Sequence, residues 1–209
     1  MPAPTRSILL EELCQRTSAS LSDAIWRSEE IIIFGSRSLG VNRASSDLDV
    51  LCVGPQLRKV KNPSIDCIFL AKKEMASHHW LGSELANHVL AYGVWVEGDG
   101  LWRNNVQLST RAVRRKEQRI RAILRNLAYS WDSLAPVFQV KYNTTIRREI
   151  QRLLLLREGE AVPPTPLLDQ EWHLMQDPKI RRTAEEFCSD TGLLQRVGLL
   201  PSSSELQIS

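Results

Sequence analysis

Three aspartates lie where their side chains could hold a divalent cation. Asp47 and Asp49 open the strand-like run DLDVLCV (47–53), and Asp66 interrupts the apolar run SIDCIFL (64–70). Alternate residues of a strand face the same side, so Asp47 and Asp49 should project together, about 6–7 Å apart at their Cα atoms. Carboxylates this close repel each other unless they are exposed, share a proton or bind a cation. If the two strands are neighbours, Asp66 joins the pair, and three carboxylates can hold two metal ions roughly 3.5–4 Å apart.

A glycine-serine pair and two arginines lie close by in the sequence and could bind phosphate. Gly35-Ser36 directly follows the buried run IIIF. Glycine lets the backbone approach a ligand, and the serine hydroxyl and the N–H groups of the next turn can bind an anion. Arg37 and Arg43 follow shortly and could bind phosphate or pyrophosphate oxygens.

Each of these features also has a purely structural interpretation. Asp47 and Asp49 could be exposed charges at the start of a strand, and Asp66 could form a salt bridge with a core arginine. Ser36 could cap a helix, which is compatible with phosphate binding. Arg37 and Arg43 could be surface charges. The order of the features along the chain favours a metal and phosphate site over the separate structural roles.

The same residues carry a resemblance to a known family. Gly35-Ser36, ten further residues and Asp47-Leu48-Asp49 match the GSx10DxD signature of the minimal nucleotidyltransferases. The chain therefore resembles the DNA polymerase β-like nucleotidyltransferase superfamily over roughly residues 29–100, and Asp66 matches its third metal-site carboxylate. The resemblance implies a polymerase β-like α/β (α+β) core with a mixed sheet. It also implies transfer of a nucleoside monophosphate from an NTP to an acceptor hydroxyl by a two-metal mechanism.

The resemblance also assigns expected roles. Catalytic and metal-binding roles are expected for Asp47, Asp49 and Asp66, with Mg²⁺ as the metal, Mn²⁺ as a possible substitute and ATP as the expected nucleotide. Nucleotide and phosphate binding is expected for Gly35, Ser36, Arg37 and Arg43. An aspartate with an ordinary pKa of about 3.9 is a weak base, so we expect Asp66 to act as a ligand before it acts as a base.

The acceptor is ranked only by class. A protein side chain comes first, a small molecule such as an aminoglycoside second and an RNA 3′ end third. Some members of the superfamily modify a toxin, so a toxin-like protein partner is possible. The alternative hypothesis is a non-catalytic nucleotide-binding or antitoxin-like interaction module.

Periodicity predicts an α/β half followed by a helical half. Strands are predicted at 29–34, 47–53, 64–70 and 93–100, and helices at 7–27, 72–91, 109–130 and 143–158. The helix at 7–27 has a possible interruption near Thr17–Ser20. The proline-rich segment 158–166 is predicted to be a loop, and two short helices are expected in 168–196. The predicted domains are a nucleotidyltransferase domain (1–105), a helical domain (106–200) and a disordered tail (201–209).

The run RAVRRKEQRIRAILR (111–125) holds seven basic residues and one acid. It is either a face that binds RNA or triphosphate, or a solvated face of a helix that packs on the core. The second interpretation is favoured because few aromatic residues are available for base stacking.

Composition excludes several classes of protein. No apolar run approaches the roughly 20 residues of a membrane span, and the N-terminal segment lacks the pattern of a signal peptide. The four cysteines are widely spaced, which indicates neither a zinc site nor a disulfide framework. The net charge of +3 is too small to identify a partner. We therefore expect a cytoplasmic protein with no membrane association.

Overall fold

The computed structural model describes residues 3–54, 58–61, 64–170 and 178–200. These residues form two compact units. The first comprises the described residues up to Ser109 together with Ala161–Leu167, and the second comprises Thr110–Glu160 and the described residues from Leu168 onwards. The predicted disordered tail lies outside the described residues.

A mixed five-stranded sheet forms the centre of the first unit. Its strands are β1 (Glu30–Phe34), β2 (Leu48–Val53), β3 (Arg58–Lys61), β4 (Ile65–Leu70) and β5 (Val94–Glu97). Their spatial order is β3-β4-β2-β1-β5, in which β2 and β4 are parallel and the other neighbours are antiparallel. The mixed sheet followed by helices confirms the predicted fold class. Strand β3 was not predicted, since its sequence RKVK has a single apolar residue.

Short helices surround this sheet: α1 (Arg6–Arg16), α2 (Ala19–Trp26), α3 (Gly35–Ser38), α4 (Lys72–Met75), α5 (His78–Leu81) and α6 (Glu84–Tyr92). The predicted interruption between α1 and α2 is confirmed. The segment predicted to be helical at 72–91 is divided into three helices, because two serines start new helices inside it. The Ser77 hydroxyl accepts a hydrogen bond from the backbone N–H of Trp80 at 3.2 Å, and Ser83 caps Ala86 in the same way at 3.0 Å.

Both faces of the sheet are buried, and the alternation along each strand decides which side chains go where. Leu48, Val50 and Cys52 belong to one apolar cluster, which includes residues of α1 and α2. Leu51 and Val53 belong to the cluster on the other face, which includes residues of α4 to α6. Odd-numbered residues of β2 therefore face the second cluster, as expected from the two-residue period of a strand.

The second unit is helical, with α7 (Thr110–Ser130), α8 (Pro136–Glu158), α10 (Pro178–Phe187) and α11 (Thr191–Arg196); the short α9 (Thr165–Gln170) begins in the segment assigned to the first unit. Helix α8 begins before the predicted residue 143 because Pro136 occupies its first turn, where a proline costs no hydrogen bond. The predicted loop ends early for the same reason, since Pro166 lies in the first turn of α9. In the part of the chain that the structure describes, no strand follows β5 and no helix is long and apolar enough to cross a membrane.

Candidate active site

The three predicted aspartates meet at one end of β2 and β4. One carboxylate oxygen from each of Asp47, Asp49 and Asp66 lies within 4.8 Å of the other two. The parallel register sets Asp49 directly beside Asp66, and Asp47 immediately precedes β2. Asp66 is buried, whereas Asp47 and Asp49 are half-buried. The sequence spacing and the sheet register together produce the cluster, which we call the aspartate triad.

Gly35 lies against the triad because no side chain separates its backbone from Asp49. Phe34, the last residue of β1, is the antiparallel partner of Asp49. Gly35 follows with a φ of +77°, and a Cβ atom at this position would lie 2.2 Å from Oδ2 of Asp49. Both the backbone angle and the close approach therefore require glycine. Ser36, the next residue, is half-buried beside this contact.

Arg37 is buried inside the domain. Its Nε and Nη2 donate to the carbonyl oxygen of Ser46 at 3.1 and 2.7 Å, and Nε also donates to the carbonyl oxygen of Asp47 at 3.2 Å. Its Nη1 forms an ion pair with Glu12. The surface-charge interpretation of Arg37 is wrong, and these contacts hold the backbone from which the Asp47 side chain projects.

Arg37 belongs to a wider network that joins the starts of two strands. Glu12 of α1 also binds Arg16, with Oε1 and Nη2 2.9 Å apart. Arg16 in turn donates from Nη1 to the carbonyl oxygen of Ser64, one residue before β4, at 3.0 Å. The chain just before β2 and the chain just before β4 are thus tied to the same carboxylate. Neither Glu12 nor Arg16 could be predicted to support the site, because a Glu–Arg pair four residues apart is an ordinary feature of a helix surface.

Arg43 lies apart from Arg37, in an exposed turn before β2. Its backbone N–H donates to the Ser46 hydroxyl and its carbonyl oxygen accepts from the Ser46 N–H, both at 3.0 Å. The structure therefore separates the two predicted arginines: one is buried and the other is exposed.

Lys61 contacts the triad and was not predicted. It is in register with Asp66 across the β3–β4 pair. Its Nζ lies 2.9 Å from Oδ2 of Asp66 and 3.4 Å from Oδ2 of Asp47. The hydrogen bond to Asp66 raises the pKa of Lys61 above its usual value, so the side chain remains a cation over the ordinary pH range. No sequence signal marked this residue, because the pairing of a short charged strand depends on its tertiary context.

The donor set of the triad fits a hard divalent cation. All three side chains offer carboxylate oxygens, the ligand type that Mg²⁺ prefers, and their separation suits coordination of a common centre. The Lys61 ammonium group between Asp47 and Asp66 is itself a cation held at this position. The partial exposure of Asp47 and Asp49 leaves the triad open to a substrate.

A cavity of about 890 Å³ also lies in the first unit, away from the triad. Glu30 and Val53, which line it, are paired at the opposite end of β1 and β2 from the Phe34–Asp49 pair. Four residues of strand correspond to roughly 13 Å. The cavity is therefore separate from the triad.

Comparison with known proteins finds a family to which most of the first unit is similar. Residues 7–99 match the family model of the nucleotidyltransferase domain. No curated protein matches the sequence. A solved structure that matches is the nucleotidyltransferase-like protein from Exiguobacterium sibiricum 255-15, at 15% identity and a TM-score of 0.37, covering 90% of this chain and 71% of that chain. The match of the family model spans α1 to β5 and includes the whole aspartate triad. Residues 7–99 of this chain are therefore similar to the nucleotidyltransferase domain family, in agreement with the resemblance that the sequence signature carries.

Proposed function

We propose that this protein is a Mg²⁺-dependent nucleotidyltransferase that transfers a nucleoside monophosphate to an acceptor hydroxyl. AMP, taken from ATP, is the nucleotide that we expect first. The observation that carries the proposal is the triad, whose carboxylate oxygens lie within 4.8 Å of one another beside the backbone of Gly35. Nucleotidyl transfer follows from the family, and the aspartates are the groups suited to it in this chain.

Asp47, Asp49 and Asp66 are proposed to hold two divalent ions. When bound, such ions neutralise triphosphate charge and lower the pKa of the acceptor hydroxyl. In the transfer, the acceptor oxygen forms a bond to the α-phosphorus and the bond from that phosphorus to the bridging oxygen breaks, releasing pyrophosphate. The hydroxyl proton leaves to a base, and Asp66 is the candidate, second to its role as a ligand.

The proposed phosphate site comprises Gly35, Ser36 and Arg43. Gly35 allows a close approach to the backbone and Ser36 offers a hydroxyl, and the guanidinium of the exposed Arg43 is proposed to bind phosphate oxygens. For Arg37 we propose a positioning role in place of direct phosphate binding, because its guanidinium already binds Glu12 and the carbonyl oxygens of Ser46 and Asp47.

A protein side chain is the first proposed acceptor, a small molecule the second and an RNA 3′ end the third. We assign catalysis to the nucleotidyltransferase domain at 1–105 and acceptor contacts to the helical domain at 106–200. The exposed apolar side chains Val137, Phe138 and Val140 of α8 support a protein partner. The exposed arginines of α7 support RNA. A cytosolic location is also proposed, which the four free cysteines favour.

The test is incubation of purified protein with each α-³²P-labelled NTP and Mg²⁺, with and without lysate fractions. We expect label to reach one acceptor class, and Asp66→Asn to reduce transfer at least about 100-fold, since even partners of metal ligands contribute 10- to 100-fold. Asp23→Asn, which changes an exposed aspartate of α2, is the matched control and should leave transfer intact. Unchanged transfer by Asp66→Asn would refute the assigned site.

The alternative, a binding or antitoxin-like module, makes a different prediction for the same position. Asp66→Ala should then leave regulation of the partner intact, and no NTP should be consumed by the wild type with either Mg²⁺ or Mn²⁺.

A further inference from the structure

Lys61 joins two of the three carboxylates of the triad. Its Nζ lies 2.9 Å from Oδ2 of Asp66 and 3.4 Å from Oδ2 of Asp47, and the β3–β4 register places its backbone directly across from Asp66. The sheet therefore holds the backbone of Lys61 next to Asp66, within reach of the triad.

This ammonium group and a divalent ion would compete for the same two carboxylates, those of Asp47 and Asp66. An oxygen of Asp66 that accepts a hydrogen bond from Lys61 at 2.9 Å cannot at the same time have its full charge directed at a metal ion. The Lys61 side chain is 61% exposed and has a flexible four-carbon stem, so it can leave the triad without disturbing the core.

We propose that Lys61 is a resident counter-ion of the triad: it competes with the divalent ion while no nucleotide is bound, and it moves onto the triphosphate when metal and nucleotide bind together. The inference rests on the proposed function and deepens it. A phosphate oxygen gives the displaced ammonium group a new anionic partner beside the triad. Metal binding and nucleotide binding are thereby coupled through one side chain, and this coupling is reciprocal.

The experiment measures Mn²⁺ binding by electron paramagnetic resonance at fixed pH, with Mn²⁺ alone and with a non-hydrolysable α,β-methylene ATP. For Lys61→Met we expect the affinity for Mn²⁺ alone to rise roughly two- to fivefold, the scale of an exposed ion pair. The gain in Mn²⁺ affinity on adding the nucleotide should be smaller than in the wild type. Lys61→Arg, which keeps a cation, should behave more like the wild type.

Lys72→Met is the matched control. Lys72 forms a comparable exposed ion pair with Glu29 at 2.8 Å, and its removal changes the net charge equally. Mn²⁺ affinity in Lys61→Met no higher than in Lys72→Met, or an unchanged nucleotide effect, would overturn the inference alone. Failure of the wild type and Lys61→Met to bind Mn²⁺ at all would overturn both the inference and the proposed function, and loss of binding in Asp49→Asn locates the signal at the triad.

Discussion

At Gly35 the absence of a side chain leaves room for the carboxylate of Asp49 in the triad. Gly35→Ala would place a Cβ 2.2 Å from Oδ2 of Asp49 and would strain the backbone at a φ of +77°. We expect Asp49 to be displaced and the affinity for Mn²⁺ to fall at least about tenfold, the lower limit for disturbing the support of a metal ligand. Electron paramagnetic resonance titration with Mn²⁺ measures this change.

Gly159 provides a matched control for the strain. It has almost the same φ, +78°, but a Cβ there would have nothing within 4 Å. Gly159→Ala should therefore show only the cost of the backbone angle, about 1–2 kcal/mol, with unchanged Mn²⁺ affinity. If the two variants bind Mn²⁺ equally well, the contact between Gly35 and Asp49 is not what holds the carboxylate.

Residue patterns predicted the triad because strand alternation and the position of an acid in an apolar run are both local signals. Asp47, Asp49 and Asp66 needed only the assumption that two strands are neighbours, which the β2–β4 pairing satisfies. Lys61 and Glu12 could not be predicted, since each reaches the site across a tertiary contact. Their residue types are also common on solvated surfaces.

Between elements, the Arg37–Glu12 pair joins α1 to the chain that leads into β2. Arg37→Met would remove the donor to the carbonyl oxygens of Ser46 and Asp47 and would leave Glu12 with Arg16 as its partner. We expect a loss of about 2–3 kcal/mol in the free energy of unfolding, somewhat below a fully buried pair because Glu12 is partly exposed. Urea unfolding measures this loss, and Arg37→Lys should recover little, since an ammonium group lacks the planar fork.

The double variant Arg37→Met/Glu12→Gln separates the charge from the backbone contacts. If the ion pair contributes to stability, the double variant should lose less stability than the sum of the losses in the two single variants. A double variant as unstable as the sum of the two single variants would show that the ion pair is not coupled and would refute this account of the network.

Two exposed faces of the helical unit lead to opposite expectations for the acceptor. Val137 and Val140 are three residues apart on α8, so they share a face, and both are mostly exposed. Arg114 and Arg115 are exposed on α7. For a protein acceptor, Val137→Ser/Val140→Ser should reduce labelling several-fold, and Arg114→Glu/Arg115→Glu should have little effect.

For an RNA acceptor, Arg114→Glu/Arg115→Glu should reduce labelling and Val137→Ser/Val140→Ser should have little effect. The salt dependence of RNA binding should also weaken in Arg114→Glu/Arg115→Glu. Quantified transfer of ³²P to each fraction gives the comparison. Equal labelling by both variants and the wild type would exclude both faces as acceptor contacts.

At the scale of elements, the type of each strongly periodic segment was predicted more accurately than the residues at which it begins and ends. The long amphipathic helix α7 and the apolar strands β1, β2 and β4 were predicted within a few residues, because each has a continuous apolar face. The divided helices between residues 72 and 92 were missed because serine caps interrupt an otherwise helical pattern. A capping serine is a weak local signal, and the helical periodicity of the surrounding residues outweighs it in a prediction from a single sequence.

Across the whole molecule, the first unit is not a continuous stretch of chain. Residues 161–167 belong to it, although the chain before and after them belongs to the helical unit. Within that segment, the carbonyl oxygen of Val162 bonds Nδ1 of His88 at 2.6 Å, and that of Ala161 accepts from the Tyr92 hydroxyl at 3.3 Å. Nothing in the sequence EGEAVPPTP predicted these contacts, since they join backbone carbonyls to distant side chains.

Because residues 161–167 belong to the first unit, this unit is synthesised in two separate stages on the ribosome. Every strand of the sheet has been synthesised by Glu97, yet the segment that contacts His88 and Tyr92 emerges only after all of α7 and α8. At a synthesis rate of roughly 5–20 residues per second, several seconds separate the synthesis of β5 from that of residues 161–167. During that interval the strands that position the triad are complete while α6 still lacks the segment that contacts His88 and Tyr92, so the first unit would remain nearly complete until residues 161–167 are added.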